Sequence, residues 1–233
     1  MSHLSLMPFK HARALRTPPR SAFTLRERRI IERCTTPLDV QRWLRALPYN
    51  RERLRPTLRT FRGVVAHQRA QCLEAVLAAA TILDQHGWPP LVLDMESQDG
   101  LDHVLLLYQV NGRWGTVARS RDAGLHGRRP VFRSIRALVQ SYFAPYVDGT
   151  GRITGYGTAN LDELVRVDWR LANGDVRAVE RALIRMPHRR IKMSDAAYAR
   201  WLVKYERLKK ETGGPPTPRN MRWWYGRQTF SWL

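Results

Sequence analysis

The sequence contains little cysteine: Cys34 and Cys72 are the only two cysteines among 233 residues. They lie in different sequence surroundings, so no disulfide framework is indicated, which fits a reducing compartment. The histidines form no closely paired zinc-type motif with either cysteine. We therefore expect no metal and no cofactor, and a metal site that uses Cys72 remains a rival interpretation.

Long apolar runs are also missing from the sequence. None approaches the roughly 20 residues that cross a bilayer as a helix, and the N-terminus lacks a signal-type apolar segment. We expect a cytoplasmic protein without a membrane span. The arginine-rich, acid-poor start of the chain leaves organelle targeting open as an alternative.

Acidic residues are scarce, since 20 Asp and Glu stand against 40 Lys and Arg, a formal net charge of +20. Residues 1–34 hold eight basic and two acidic residues (net +6), and residues 185–233 hold twelve and three (net +9). We predict basic ends that contact a polyanion such as nucleic acid. A generally arginine-rich surface is the alternative, because the sequence shows no recognisable nucleic-acid-binding motif.

Apolar periodicity and turn residues predict a mixed α and β fold. The clearest helix begins at Cys72 and is apolar nearly all round, which is typical of a buried helix, and Gly87 marks its end. A second helix begins at the N-cap Thr36 and ends before Pro48. Asn111-Gly112 predicts a hairpin, because both turn positions tolerate a positive φ. The other predicted elements are helices at 23–33, 134–145, 175–186 and from 194, strands at 91–93, 103–108, 113–119 and 164–169, a loop at 51–62 and a turn-rich crossing segment at 146–156.

Cys72 and His103 together indicate nucleophilic chemistry. A helix start offers unpaired N–H groups and the positive end of the helix dipole, which favour a thiolate and could bind an oxyanion. His103 begins a predicted strand, where its imidazole could reach a neighbouring helix start and act as a base. Asp102 would point to the opposite face of that strand, so it is a poor partner for the ring.

The order of these elements resembles the core of the transglutaminase-like branch of the papain-like cysteine enzymes. A cysteine begins a helix, a turn with glycine and a strand follow, a histidine leads an antiparallel strand, and the hairpin carries Gly112-Arg113-Trp114. The resemblance covers residues 63–122. It implies an α+β fold in which a buried helix packs on a small antiparallel sheet, with Cys72 as the nucleophile and His103 as the general base.

The third catalytic residue of that family does not match this chain. The family usually has an Asp four residues after the hairpin tryptophan, and this position is Ala118. Without an acceptor for the far ring nitrogen, the tautomer of the imidazole is not fixed. Asp122 could take that role, and Ser120 could serve as a neutral acceptor. A degenerate, non-catalytic site is the alternative.

Three further side chains are candidates near the site. Gln71 precedes the cysteine and could help to bind an oxyanion. Arg121 and Arg128 lie in a glycine-punctuated basic loop after the hairpin, where they could meet an acidic or phosphorylated substrate.

The sequence therefore predicts a basic N-terminal extension (1–35), a transglutaminase-like domain (36–186), and a basic helical and aromatic C-terminal extension (187–233). The predicted function is a cysteine hydrolase or acyltransferase whose substrate is an amide bond of a peptide or protein. The alternative is an inactive transglutaminase-like scaffold that binds a protein or nucleic acid through its basic extensions.

Overall fold

The computed structural model describes residues 17–51 and 58–214, and within them the chain has an α+β fold. The helices before the sheet are α1 (Leu25–Arg33), α2 (Pro37–Ala46), α3 (Phe61–His67) and α4 (Cys72–Asp84). The later helices are α5 (Ile135–Gln140), α6 (Phe143–Tyr146), α7 (Leu161–Leu164), α8 (Arg177–Arg185) and α9 (Asp195–Thr212).

In the described residues, six strands form one antiparallel sheet with the spatial order β4-β3-β2-β1-β5-β6. The strands are β1 (Leu91–Ser97), β2 (His103–Val110), β3 (Arg113–Val117), β4 (Arg128–Phe132), β5 (Ile153–Asn160) and β6 (Arg189–Arg190). The predicted hairpin joins β2 to β3, and its turn has φ values of 48° at Asn111 and 70° at Gly112. Both residues tolerate this left-handed backbone, so the sequence signal is confirmed.

Each face of the sheet has its own hydrophobic core, because successive side chains of a strand point to opposite faces. α4 packs on the face that presents Val104 and Leu106. Leu105 and Leu107 point to the opposite face, which α5 and α6 cover. Every residue of α4 from Leu73 to Leu83 is buried, as its nearly continuous apolar sequence predicts.

The predicted start of α2 is confirmed by a capping box. The Thr36 hydroxyl accepts a hydrogen bond from the Asp39 N–H (3.3 Å), and the Asp39 carboxylate accepts one from the Thr36 N–H (3.1 Å). Two N–H groups that the helix leaves unpaired are satisfied in this way.

Three parts of the secondary-structure prediction are wrong. The predicted strand at 164–169 is instead the end of α7 and an irregular segment. The turn-rich crossing segment predicted at 146–156 contains the first part of β5. β5 pairs with β1 along its whole length. α3 also begins inside the segment predicted as a loop.

The structure tests little of what the sequence predicts for the two ends of the chain. The aromatic C-terminal segment (215–233) and residues 1–16 lie outside the described residues. Among the helices that the structure describes, none combines the length and the apolar character needed to cross a membrane.

Candidate active site

Cys72 is the first residue of α4, and its position is fixed by the residues on either side. The Gln71 side chain caps the helix, because its Oε1 accepts a hydrogen bond from the Leu73 N–H (2.8 Å). The Glu74 carboxylate accepts one from the Gln71 N–H (2.8 Å). A capping box with Gln71 therefore defines where the helix begins, and with it the place of the sulfur.

Glu74 also ties this helix start to the preceding chain. Its carboxylate is fully buried and accepts hydrogen bonds from the Asn50 amide (3.1 Å) and the Arg59 N–H (3.2 Å). The backbones of Tyr49 and Ala70 form a parallel bridge beside it. Since a buried carboxylate needs such donors, the Glu74 contacts hold Tyr49 next to the start of α4.

The Cys72 thiol is half-buried, and its surroundings favour the neutral, protonated form. Its S–H donates a hydrogen bond to Gln71 Oε1 (Sγ to Oε1, 3.2 Å). Burial raises the pKa of Cys72 to about 11, hydrogen bonds from the Leu73 and Val104 backbones act in the opposite direction, and the nearby Asp94 carboxylate raises it further. Burial therefore outweighs the helix-start N–H groups, and the thiolate that the sequence predicts is not the favoured form.

The His103 imidazole is buried and makes a hydrogen bond with a backbone carbonyl. Its Nε2 lies 2.9 Å from the Leu125 carbonyl oxygen. A carbonyl oxygen only accepts hydrogen bonds, so Nε2 carries the proton and Nδ1 has the free lone pair. The Leu125 carbonyl thus fixes the tautomer that a base acting through Nδ1 requires.

Burial lowers the pKa of His103 to about 4, while the hydrogen bond with Leu125 opposes this shift. Arg128 lowers the pKa further, and Asp122 raises it. The ring is therefore neutral at physiological pH, and it can accept a proton without first losing one.

The structure places the two predicted catalytic side chains on opposite faces of the sheet, near the start of β2. Cys72 packs against the core that α4 shares with Val104, whereas His103 is paired with Met95, whose side chain belongs to the opposite core. The Val104 backbone lowers the pKa of the Cys72 thiol, so Sγ lies close to the residue that follows His103 in the chain. The hydrogen bonds of the two side chains themselves go to Gln71 and Leu125.

Arg128 is not at the border of a cleft, where the sequence suggests it could contact substrate. It is fully buried, and its guanidinium donates to the carbonyl oxygens of Gly124 (2.8 Å) and His126 (2.9 Å) and stacks 3.9 Å above the Tyr142 ring. These two carbonyls flank Leu125. The guanidinium therefore fixes the loop from Gly124 to His126, in which the carbonyl of Leu125 accepts the hydrogen bond from His103.

The structure shows the contacts of each candidate for the third catalytic residue. Asp122 is paired with Arg121 (2.9 Å), which is exposed, and it acts on His103 only through its charge. Ala118 is fully buried, and its N–H and carbonyl both bond to the Gln41 side chain (3.0 and 2.9 Å). The Ser120 hydroxyl accepts from the Asp122 N–H. The hydrogen bond from the ring goes instead to the main chain at Leu125.

Sequence reasoning missed Tyr49 and the Leu125 carbonyl. Burial raises the pKa of the Tyr49 hydroxyl, Cys72 raises it further, and a hydrogen bond with the Cys72 backbone lowers it. The hydroxyl is therefore close to the Cys72 backbone at the start of α4. Its distance in sequence from Cys72 hides this contact, and a backbone acceptor leaves no residue signature at all.

The described residues contain no cluster of three or more His, Cys, Asp or Glu side chains arranged to hold a metal ion. Comparisons of the chain with protein-family models and with curated protein sequences give no match.

Proposed function

We propose that this chain is a transglutaminase-like cysteine hydrolase or acyltransferase that acts on an amide or peptide carbonyl. Cys72 is the nucleophile and His103 is the general base. The hydrogen bond between His103 Nε2 and the Leu125 carbonyl (2.9 Å) supports this proposal most directly. The Leu125 carbonyl is the acceptor that the missing aspartate would provide, and the bond to Nε2 leaves Nδ1 free to take the sulfur proton.

The reaction begins from a neutral pair, because the pKa of Cys72 is about 11 and that of His103 is about 4. As Sγ attacks the carbonyl carbon, the thiol proton must pass to His103 Nδ1 around the start of β2, because the two side chains lie on opposite faces of the sheet. The oxyanion replaces the Tyr49 oxygen as the acceptor of the Cys72 N–H, and the Tyr49 hydroxyl then donates to the oxyanion. The imidazolium then gives its proton to the departing amine, and a thioester remains on Cys72.

The second half of the reaction releases the acyl group. His103 Nδ1 takes a proton from water or from an acceptor amine, which attacks the thioester carbonyl. The sulfur leaves and recovers the proton from the imidazolium. Water as the acceptor gives a carboxylic acid, and an amine gives a new amide.

The second candidate is a scaffold without catalysis, and the Gln71 contact favours it. The S–H proton is directed to Gln71 Oε1 instead of an imidazole nitrogen, and the usual aspartate position is Ala118. In this case, the Cys72 region would be a structural remnant and the basic extensions would bind the partner.

Acylation by p-nitrophenyl acetate distinguishes the two candidates, because this activated ester needs no specific substrate pocket. We expect an acetyl thioester on Cys72, detected by mass spectrometry, and steady release of p-nitrophenol. A His103→Ala change should slow acylation by about 100-fold or more, the usual contribution of a general base. His67→Ala, which alters an exposed histidine on α3, is the matched control and should leave the rate unchanged.

Equal acylation rates in the His103→Ala and His67→Ala proteins would support the scaffold and exclude a catalytic pair. Thermal unfolding of both variants ensures that the comparison is made between folded proteins. A Cys72→Ser protein gives the background rate.

A further inference from the structure

A stripe of arginines runs along the exposed side of α1. Arg26, Arg29 and Arg33 are spaced by three and four residues, so they lie on one face of the helix, and all three are exposed. Like charges at this spacing repel one another and weaken the helix. The stripe is therefore not explained by the stability of α1 itself.

The stripe forms one wall of a groove. Arg26, Arg29 and Arg33 line a cavity of about 440 Å³ together with Ile30, Glu32, Trp43 and Gln68. We call this set of residues the arginine groove.

The aromatic wall of the arginine groove is rigid. Trp43, on α2, is half-buried and packs edge-on against Phe61, with 6.2 Å between ring centroids. Phe61 is fully buried in the core. An indole held in this way can stack on a planar ligand without losing side-chain freedom on binding.

One carboxylate of α1 that could neutralise the stripe is engaged elsewhere. Glu27, on the same helix, caps α1 and pairs with Arg62 (3.0 Å). Within residues 17–51 and 58–214, no ion pair is seen for Arg26, Arg29 or Arg33, and the groove that they line contains one carboxylate, that of Glu32. The arginine groove therefore keeps a net positive charge, which favours an anionic ligand.

We propose that the arginine groove binds single-stranded nucleic acid. One base stacks against Trp43, and the phosphates on either side of it pair with the arginines of α1. A concave site that combines guanidinium groups with an aromatic ring matches the phosphate and base of a nucleotide. An anionic membrane or an acidic peptide has the charge but not the planar ring. The groove shares no residue with the Cys72 site, so this proposal is independent of acyl transfer.

The main experiment measures binding of a fluorescently labelled oligouridylate by anisotropy over a range of salt concentrations. In the Arg26→Gln/Arg29→Gln/Arg33→Gln protein we expect at least about tenfold weaker binding. The slope of log K against log salt should fall by about 2, since each phosphate contact to a single strand contributes about 0.7. The control Arg200→Gln/Lys209→Gln/Lys210→Gln removes the same charge from exposed positions on α9 and should weaken binding less than about threefold.

A Trp43→Leu change tests the stacking part of the proposal. We expect it to weaken oligouridylate binding by between about fivefold and about 160-fold, the range measured for base stacking. Binding of heparin, which has charge but no bases, should not change. Trp43→Phe should restore most of the affinity, which separates a stacking role from a role in folding.

Three results would overturn the proposal. Equal loss of binding in the two triple variants would indicate diffuse charge instead of a site. Equal loss of heparin and oligouridylate binding in the Trp43→Leu protein would exclude base stacking. Tighter binding to vesicles that contain phosphatidylserine than to the oligouridylate would assign the arginine groove to a membrane surface.

Discussion

Alkylation of Cys72 tests the protonation state of the proposed nucleophile. Burial raises the pKa of its thiol to about 11, against about 8.5 for an ordinary cysteine. At pH 7.5 this difference lowers the thiolate fraction about 300-fold. A more basic thiolate is a better nucleophile, and a Brønsted coefficient of about 0.4–0.5 recovers about 10-fold to 20-fold. We therefore expect Cys72 to react roughly 20-fold more slowly than a free thiol at this pH.

The assay is iodoacetamide labelling followed by mass spectrometry of the peptide that contains Cys72, with N-acetylcysteine in the same mixture. The labelling rate should rise about tenfold per pH unit from pH 6 to 10 without reaching a plateau. His103→Ala should change this rate by less than about threefold, although it slows acylation by the ester strongly, because a neutral imidazole does not withdraw the proton in the resting state.

Asp94→Asn supplies an independent check on the cause of the shift. The Asp94 carboxylate raises the pKa of Cys72, so its removal should speed labelling severalfold at pH 8. Asp195→Asn, at an exposed carboxylate on α9, is the matched control. A plateau below about pH 8.5, or labelling faster than that of N-acetylcysteine at pH 7.5, would refute the assignment of a neutral thiol.

Two further predictions concern stability. Gly127→Ala should lower the free energy of unfolding in urea by about 2–3 kcal/mol, because the new Cβ would lie 2.2 Å from the amide oxygen of Gln41. In the control Gly174→Ala the new Cβ meets nothing within 4 Å. Equal stabilities of the two variants would contradict this prediction. Burial lowers the pKa of His126 to about 3. As the pH falls below about 6.5, His126 therefore becomes protonated in the unfolded chain but not in the folded chain, and the folded state loses stability. The loss of stability between pH 7 and pH 5 should therefore be about 2 kcal/mol smaller in His126→Gln than in the wild type, and His67→Gln should change nothing.

Local signals predicted those elements whose ends are fixed by their own residues. Thr36 and Asp39 bond to each other's backbone, and Asn111-Gly112 adopts the φ values that its turn needs. The buried character of α4 follows from its composition in the same way. None of these elements depends on a distant part of the chain for its start or its end.

β5 was missed because its glycines indicate turns when only local sequence is considered. In the folded protein they make room for neighbouring side chains. A Cβ at Gly155 would lie 2.1 Å from the Glu96 carboxylate, and one at Gly157 would lie 2.8 Å from Met186. Glycine in this strand is therefore a consequence of tertiary packing, which local turn preferences do not contain.

The sequence by itself determined the helix that begins at Cys72, the strand that begins at His103 and the hairpin after it, because capping, periodicity and turn chemistry act over a few residues. Only the tertiary structure decided the protonation of the site. Burial against the sheet makes the thiol and the imidazole neutral, and the loop held by Arg128 brings the Leu125 carbonyl to the ring. Solvent exclusion and a backbone acceptor arise only when distant segments pack together, so no residue pattern near Cys72 or His103 could reveal them.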